Sequence, residues 1–319
     1  MIEPIIRVAD IAWIRLRSPD LDLAERYLTD FGLVRSVRTG AALYMRGTDP
    51  AHHVHITERG DPGVVSIAFR ARAEDDLGKL AREAAGASAV EAIGEPGGGR
   101  RVRLTEYNGM GIEVVWGVEQ LAPLPVATRM VNTGHAKIAR AGELQRVAVR
   151  PSQVKRIGHA VISTPDIDAS ADWTRRNLGL LRADDVHAED DPHKLLASFN
   201  RIDAGAIYVD HHVVMFGLNQ NAGLNHVSFE VQDIDDLAAG HDHLAQQWAD
   251  RHLWGIGRHL LGSQIFDYWK DPWGRIHEHW TDSDVINDKN PYRRHPKSQG
   301  LRSQWGPQAP QEFRDAASR

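Results

Sequence analysis

Apolar and polar residues alternate on both sides of a turn in residues 257–280 and predict a β-hairpin. Proline and glycine within the sequence Asp-Pro-Trp-Gly favour a tight turn between the two aromatic-rich runs. With residues 272–274 as a three-residue loop, Tyr268 lies opposite Glu278, and both side chains point to the apolar face. Because a buried carboxylate is rarely left unpaired, Glu278 needs a cation from elsewhere in the chain.

The opposite face of this hairpin is predicted to be the outer one. It carries Arg275, His277 and His279, and the same register places Asp267 across from His279. A cross-strand pair between Asp267 and His279 would accommodate an acidic residue at this position. We therefore expect His277 and His279 to point outward, although they look like ligands in the sequence.

The pattern of strands and helices repeats along the chain, which indicates a duplicated scaffold. An apolar strand, a Pro-Asp helix start, an amphipathic helix and a glycine stop occur in residues 11–33 and again in residues 157–180. Further matches pair residues 51–57 with 210–216, 65–77 with 225–237, and 106–116 with 270–280. Each half thus consists of two units of strand, helix and several strands. The four units span 8–57, 64–118, 156–217 and 224–282.

These units predict the domain organisation, with an N-terminal domain at 1–118, a linker at 119–155, a C-terminal domain at 156–282 and a tail at 283–319. The tail is polar and contains four prolines, so it is either loosely ordered or a strap over a neighbouring surface. Arg293 and Arg294 in the tail could meet a substrate carboxylate, but we expect a solvated basic tail.

Composition limits the class of protein. The 319 residues are 25% charged and 42% hydrophobic, which suits globular domains with sizeable cores. The formal net charge of -5 and the lack of a like-charge run give no support for nucleic-acid binding. The chain has no cysteine, which excludes disulfides and thiolate metal sites. It shows no signal peptide and no apolar stretch of about 18 residues, so a soluble cytoplasmic protein with no membrane partner is expected.

The two halves differ at the positions where chemistry is expected. Of 17 histidines, 14 lie after position 134. Aligned by the repeats, the N-terminal half has Trp13 in place of His159, Ser66 in place of His226, and Val114 in place of Glu278. Because only one copy carries polar residues that point inward, we expect a single active site in the C-terminal half.

His159, His226 and Glu278 are predicted to come together. The histidines open the third and fourth units at equivalent places, and the glutamate lies on the last strand of the fourth. Two imidazoles and one carboxylate form a three-ligand set that leaves metal positions open and is typical of non-heme Fe(II) oxygenases. Zinc and manganese accept the same ligands. Each residue alone is more often structural, so the prediction depends on their joint placement.

The hairpin sequence follows the pattern GxH, eight residues, Tyr, then DPxGxxxE. The residues that match are Gly257, His259, Tyr268, Asp271, Pro272, Gly274 and Glu278. This pattern resembles the signature of type I extradiol ring-cleavage dioxygenases, which belong to the vicinal oxygen chelate superfamily. Asp267 departs from it, because the family has an apolar residue before the tyrosine. The N-terminal half resembles the family's inactive duplicate domain.

This resemblance implies an α+β fold of four βαβββ modules, paired into two similar domains that are each an incompletely closed barrel. It also implies an Fe(II) ion, occasionally Mn(II), bound by His159, His226 and Glu278. His259 and Tyr268 are similar to the family's hydrogen-bonding residues on the substrate side.

The family also has an acid–base histidine on a strand shortly before the second metal-binding histidine. His211 and His212 are the candidates here. His212 is favoured, because its spacing from the second metal-binding histidine is similar to the spacing in the family. Adjacent strand residues point to opposite faces, so only one of them can serve. The equivalent pair in the N-terminal half, His52 and His53, indicates that paired histidines at this place can also belong to the scaffold.

The implied activity is O2-dependent cleavage of a catecholic ring next to its diol, in aromatic compound catabolism, by a homo-oligomer. The choice of diol is open, and Trp254, Trp269 and Trp273 could either wall an aromatic substrate or belong to the core. Two other interpretations remain. One is another metal enzyme of the superfamily, glyoxalase-like or epimerase-like, which usually needs a fourth protein ligand. The other is a non-catalytic protein that binds a small molecule.

Overall fold

An eight-stranded sheet forms the first half of the protein in a computed structural model that describes residues 3–127 and 130–319. Its first module comprises β1 (Asp10–Ser18), α1 (Leu21–Asp30), β2 (Val34–Arg38), β3 (Ala42–Arg46) and β4 (His55–Arg59). Its second module comprises β5 (Gly63–Arg70), α2 (Glu74–Glu83), β6 (Glu91–Ala92), β7 (Arg100–Thr105) and β8 (Gly111–Trp116). The strand order is β2-β3-β4-β1-β5-β8-β7-β6, so the first strands of the two modules pair at the centre.

The second half repeats this arrangement in a ten-stranded sheet. Its first module comprises β9 (Val154–Thr164), α3 (Ile167–Leu178), β10 (Leu181–His187), β11 (Leu195–Arg201), β12 (Val209–Asp210) and β13 (Val214–Leu218). Its second module comprises β14 (Gly223–Val231), α4 (Ile234–Gln247), a 3-10 turn (Ala249–Arg251), β15 (His252–His259), β16 (Ile265–Lys270) and β17 (Ile276–Thr281). The tail adds β18 (Val285–Ile286), β19 (Arg293–Pro296), a 3-10 turn (Lys297–Gln299), β20 (Ser303–Trp305) and α5 (Gln311–Asp315).

Neither sheet closes on itself. The larger sheet has the order β19-β10-β11-β13-β9-β14-β17-β16-β15-β20, while β12 and β18 form a separate pair. The outermost strands of each sheet do not pair with one another, so both sheets stay open. Four strand–helix–strand modules in two similar, incompletely closed sheets confirm the predicted α+β fold.

The first helix of each half begins and ends as the sequence predicts. The Asp20 side chain accepts two hydrogen bonds from backbone N–H groups in the first turn of α1, and Asp166 accepts one from α3. These carboxylates satisfy N–H groups that have no partner within the helix. Gly179 ends α3 with a φ of 71°, a left-handed conformation that glycine adopts without strain.

The hairpin of β16 and β17 has the predicted register. Tyr268 pairs with Glu278, and Trp269 pairs with His277. In the loop, the Gly274 N–H donates to the carbonyl of Asp271 at 2.9 Å, and Gly274 takes a φ of 86°. The side chains of Tyr268 and Glu278 therefore lie on the same side, as required by the predicted site.

The second face of this hairpin is not an outer surface, which corrects the sequence prediction. His277 and His279 are fully buried against the N-terminal half. The ring of His279 stacks on Phe31 with centroids 3.8 Å apart, and its Nε2 donates to the Phe31 carbonyl at 2.6 Å. Arg275 donates to the Arg17 carbonyl at 2.7 Å. Alternation identified the residues that share this face, but it carries no information on whether another domain covers them.

The expected side-chain pair of Asp267 with His279 does not form. The two residues are cross-strand partners, but the Asp267 carboxylate contacts His241 on α4 and His252 on β15. Helix α4 packs against β16 and β17, and so offers a partner that is remote in sequence from the hairpin.

The tail is a strap across the C-terminal sheet rather than a loose segment. β19 runs parallel to β10 at one edge, and β20 runs antiparallel to β15 at the other. Near the end of the chain, Ser318 bridges to Leu224 on β14. Arg293 and Arg294 are exposed on β19, as expected for solvated side chains.

The stretch between β8 and β9 has no regular helix or strand among its described residues, and most of these are exposed. We keep residues 119–155 as the proposed linker between the proposed domains, with its last two residues already part of β9. In the parts of the chain that the structure describes, no helix combines the length and apolarity needed to cross a membrane.

Candidate active site

Three neighbouring strands carry the predicted metal ligands. In the strand order β9-β14-β17, His159 and Glu278 both lie in register with Ser228 on the strand between them. His226 precedes Ser228 on β14 at the spacing that directs both side chains to one face. The fold thus brings His159, His226 and Glu278 together, with candidate ligand atoms all within 4.8 Å of one another.

The donor set fits a divalent metal ion. Oε2 of Glu278 lies 3.1 Å from Nε2 of His159 and 3.4 Å from Nε2 of His226. All three side chains are buried, yet Nδ1 of His159, Nε2 of His226 and Oε1 of Glu278 have no hydrogen-bond partner among the described residues. Buried polar atoms are normally satisfied, so the unpaired Nε2 of His226 and Oε1 of Glu278, beside Nε2 of His159, indicate a binding site for a cation.

The surroundings hold the ligands in the protonation states that metals bind. Nδ1 of His226 lies 2.7 Å from Oδ1 of Asn225, which favours the tautomer with Nε2 unprotonated. Burial lowers the pKa of His226, so this ring stays neutral. Burial alone would raise the pKa of Glu278, but the neighbouring histidines, with His159 the nearest at 3.1 Å, hold that pKa well below its usual range.

Tyr268 and His259 border the trio from the hairpin side. The Tyr268 hydroxyl lies 2.8 Å from Nε2 of His259, which is itself 3.7 Å from Oε1 of Glu278. Burial, reinforced by the charge of Glu278, raises the pKa of Tyr268 well above its ordinary value and keeps the phenol protonated. The ring of Tyr268 lies parallel to that of Trp254, with centroids 5.0 Å apart, which limits its rotation.

The structure separates the two candidates for the acid–base histidine. His212 lines the cavity above the trio, and its ring centroid is 4.3 Å from that of His159. His211 points away and places Nε2 at 2.7 Å from a carboxylate oxygen of Asp184. The two rings meet through their Nδ1 atoms at 3.2 Å. Of the pair, His212 therefore has the position that the predicted role requires.

A cavity of about 340 Å³ opens over these residues. Apolar side chains from β11, β13 and the hairpin region form much of its wall, and the tail contributes Lys297, Arg302 and Arg314. Trp254 lines the cavity as one of the three tryptophans considered from the sequence. Trp269 belongs to the core, and Trp273 packs near the guanidinium of Arg275 instead.

Sequence analysis missed the polar residues that the tail and the strand β14 add to this cavity. Asn225 lines the cavity and directly precedes His226. Its position beside a candidate ligand could have identified it from the sequence. Arg302 and Phe313 gave no signal, because only the path of the tail across the sheet brings them to the cavity.

The N-terminal half keeps a carboxylate at the place of Glu278, which corrects the alignment with Val114. Ala68 pairs with both Trp13 and Glu113, just as Ser228 pairs with both His159 and Glu278. Glu113 is thus the structural counterpart of Glu278. Matching the tryptophans at 116 and 280 had displaced the alignment by one residue.

An arginine occupies the centre of the N-terminal site. Arg15 lies in register with Ser66, at the place that Val161 takes beside His226 in the other half. Its Nε donates to Oε1 of Glu113 at 2.9 Å, and both side chains are buried. A guanidinium therefore neutralises the carboxylate where a metal would otherwise be needed.

Comparisons with known proteins agree with this architecture. Residues 156–274 match the family described as the Glyoxalase/Bleomycin resistance protein/Dioxygenase superfamily. Metapyrocatechase 2 from Cupriavidus necator is 29% identical over 310 residues, which cover 93% of this chain and 89% of that protein.

Two solved structures are similar over almost the whole chain. Homoprotocatechuate 2,3-dioxygenase from Brevibacterium fuscum, in an anaerobic complex with 3,4-dihydroxyphenylacetate, has a TM-score of 0.82 at 20% identity and covers 99% of this chain and 94% of that one. The Mn(II)-bound glyoxalase from Novosphingobium aromaticivorans has a TM-score of 0.78 at 23% identity and covers 98% of this chain and 96% of that one. At these identities the two structures establish the fold.

The duplicated open sheets and the trio on three adjacent strands define the class. The chain carries a domain of the glyoxalase/dioxygenase superfamily, with the vicinal oxygen chelate fold. The relatives and solved neighbours that it resembles include extradiol ring-cleaving dioxygenases.

Proposed function

We propose that the protein opens a catecholic ring next to its diol with O2, as an Fe(II)-dependent extradiol dioxygenase of aromatic compound catabolism. The observation that carries this proposal is the trio of His159, His226 and Glu278, whose candidate ligand atoms all lie within 4.8 Å of one another beneath a largely apolar cavity. The solved neighbour with bound 3,4-dihydroxyphenylacetate supports an aromatic diol as substrate. Mn(II) is the alternative ion, because another neighbour was solved with it.

Bound at this trio, Fe(II) would lower the pKa of the catechol hydroxyls and supply the redox chemistry that O2 requires. The overall reaction places both atoms of O2 on the two carbons of the cleaved bond. The diol supplies the electrons, so no further reductant is needed.

His212 is the proposed acid–base group. Burial, together with His159 and His211, holds the pKa of His212 well below its ordinary value, so the ring is neutral before reaction. A neutral ring facing the cavity can accept a phenolic proton and return it later in the reaction. His211, turned towards Asp184, holds the orientation of this ring through the contact between the two Nδ1 atoms.

Tyr268 and His259 are proposed to stabilise negative charge on substrate oxygen. The Tyr268 phenol stays protonated, so its O–H can donate to a developing oxyanion. His259, within hydrogen-bond distance of that hydroxyl, is placed to orient it and to add a second polar contact. The aromatic contact with Trp254 limits the movement of the Tyr268 ring during this step.

The cavity favours a diol that carries an anionic substituent. Lys297, Arg302 and Arg314 give the tail side of the cavity three cations, while Phe199 and Met215 contribute to an apolar wall. A planar ring fits the apolar part, and a carboxylate on a short side chain would meet the cations. We therefore propose catechols with a carboxylated side chain as the preferred substrates.

Anaerobic purification, metal analysis and a catechol assay test the proposed activity together. We expect about one iron or manganese per chain and a yellow ring-opened product that forms only with O2. Product mass should show the addition of both oxygen atoms to the diol. Zinc or nickel in the site, combined with no O2 uptake by the iron-reconstituted protein, would overturn the proposal.

A matched pair of histidine variants separates the metal site from general effects on the fold. His226→Ala removes one of three ligands, so iron binding and activity should be lost while the circular dichroism spectrum is retained. His193→Ala alters an exposed residue outside the cavity and should keep both iron and activity. Iron binding by His226→Ala at the level of the parent would contradict the ligand assignment.

Another metal-dependent reaction of the superfamily is the second candidate, because a glyoxalase is among the neighbours. Such enzymes usually need a fourth protein ligand. Among the described residues, the candidate ligand group around Glu278 contains only three members. Product formation from a diol without O2 uptake would favour this second candidate.

A homo-oligomer in the cytoplasm also remains our expectation. Light scattering on the purified protein would measure the number of subunits, and a monomer would contradict the expected homo-oligomer. Fractionation of cells that express the chain would test the expected cytoplasmic location.

A further inference from the structure

A second cluster of possible metal ligands lies behind the hairpin, on the face opposite the active site. It consists of His241 on α4, His252 on β15 and Asp267 on β16, with ligand atoms all within 4.8 Å of one another. Oδ2 of Asp267 lies 3.0 Å from Nδ1 of His241, and Oδ1 lies 3.0 Å from Nε2 of His252. Asp267 is the residue that departs from the family signature, and Tyr268 beside it points to the cavity.

The spacing of these atoms suits a small divalent ion. Ligands bound to tetrahedral Zn²⁺ at about 2.0–2.2 Å lie roughly 3.3–3.5 Å apart. The contacts of 3.0 Å in the cluster resemble the 3.1 Å between His159 and Glu278 in the catalytic trio. A small outward movement of the two imidazoles would therefore seat an ion between them and the carboxylate.

The surroundings position the carboxylate and leave a path for an ion. Asp267 is completely buried, and the indole Nε1 of Trp269 donates to its Oδ2, which holds its orientation. A Cβ at Gly255 would come within 2.8 Å of Oδ1, so the glycine keeps the space beside the carboxylate open. The side chains of His241 and His252 are 26% and 29% exposed, and so ions and water can reach them.

We propose that His241, His252 and Asp267 bind one Zn²⁺-like transition-metal ion, separate from the catalytic metal, with water completing its coordination. Two imidazoles and one carboxylate favour such an ion over Mg²⁺ or Ca²⁺, which prefer oxygen ligands. The ion would join α4 to β15 and β16, and thereby brace the strands that carry His259 and Tyr268. Its function is structural, because no part of the cluster contacts the cavity.

Metal titration of the His226→Ala protein tests this proposal without interference from the catalytic site. Calorimetry with Zn²⁺ should show one equivalent bound, and Co²⁺ should give the visible absorption of a four-coordinate ion. Adding His252→Ala, which alters a partly exposed side chain, should remove that equivalent. Adding His243→Ala should not, because His243 lies on the same helix but contacts Asp30 instead.

The iron-loaded parent protein supplies an independent measurement. Zn²⁺ should raise its melting temperature while the iron content stays constant, and the His252→Ala protein should lose this shift. An equal shift in both proteins, or no Zn²⁺ binding by either His226→Ala or the iron-loaded parent, would overturn the second site. Neither result bears on the dioxygenase activity, so the two proposals fail separately.

Discussion

Glu278 and Glu113 occupy equivalent places in the two halves, but their neighbours give them different roles. Arg15 and Arg101 surround Glu113 with positive charge at 2.9 Å and 3.1 Å. Glu278 has two imidazoles instead, which are neutral ligands and leave a negative site for a cation. The difference between a closed ion-pair cluster and the proposed metal site therefore comes from a few side chains on one scaffold.

The role of His212 is tested by replacing it with phenylalanine, which keeps a ring but cannot carry a proton. We expect turnover to fall by about 10²- to 10⁴-fold, the usual contribution of a general acid–base group. Iron content and substrate affinity should remain near those of the parent, because the metal trio is untouched. Stopped-flow kinetics with a chromogenic catechol would measure the change.

His53→Phe is the matched control for this substitution. His53 is also buried, and its ring lies 4.6 Å from Trp13 just as that of His212 lies 4.3 Å from His159. Because the N-terminal half holds an ion-pair cluster, this variant should keep its turnover rate. Unchanged turnover in His212→Phe would refute the assignment.

The proposed preference for anionic diols predicts an asymmetric effect of Arg302→Gln. The variant should raise the KM for a carboxylated catechol roughly tenfold, since a contact with a charged group is lost. The KM for unsubstituted catechol should stay the same. Arg294→Gln, an exposed change on β19, is the control, and equal effects on both substrates would contradict the proposal.

At the scale of elements, the hairpin and the tail build the site from opposite sides. β16 and β17 present Tyr268 and Glu278 in register, while α5 packs Phe313 against them. The ring centroid of Phe313 is 4.8 Å from that of Tyr268 and 5.4 Å from that of His226. The tail is thus part of the cavity wall.

Phe313→Ala should therefore weaken substrate binding without removing the metal. Loss of a partly buried aromatic side chain exposes the cavity wall, and we expect kcat/KM to fall about tenfold. Glu312→Gln changes the neighbouring residue, whose exposed ion pair with Lys270 contributes little, and should be silent. KM and iron content, measured for both variants, check the role of the tail. Equal kcat/KM values for the two variants would contradict a role of Phe313 in the cavity wall.

At the scale of the whole molecule, the two halves share a buried interface with several histidines. His55 on β4 meets His277 on β17 with Nε2 atoms 3.3 Å apart. Burial, with the neighbouring His277 and Arg275, holds the pKa of His55 well below its ordinary value. The neutral form of this residue is therefore built into the contact between the halves.

This interface predicts a loss of stability in acid. An unfolded histidine has a pKa of about 6.5, so below that pH the unfolded state binds a proton that folded His55 does not. The contribution of His55 to the free energy of unfolding should be fully present above about pH 6.5. Below that pH, the free energy of unfolding should fall by up to about 1.4 kcal/mol per pH unit for this residue. Urea unfolding at pH 5 and pH 7 would measure the change.

The His55→Gln variant should show a smaller difference between these two pH values, because glutamine does not titrate. His193→Ala serves as the control, since His193 is exposed and lies outside the contact between the halves. A pH dependence in His55→Gln equal to that of the parent would assign the effect to other groups.

Local patterns predicted most of the fold and the central residues of the site. Alternation gave the register of Tyr268 and Glu278, and the internal repeat pointed to His159 and His226 as partners. The same patterns failed where contacts are remote in sequence. The burial of His277 depends on the N-terminal half, and the partners of Asp267 come from α4 and β15.

The sequence by itself determined the duplicated modules, the hairpin and the side chains offered to a metal, because strand periodicity and turn chemistry are local properties of the backbone. Tertiary structure decided which of His211 and His212 faces the cavity, and it brought Arg302 and Phe313 to the cavity wall. It also placed Arg15 beside Glu113. These outcomes depend on how strands pair and on where the tail crosses the sheet. They therefore cannot be predicted from residues that are close together in the sequence.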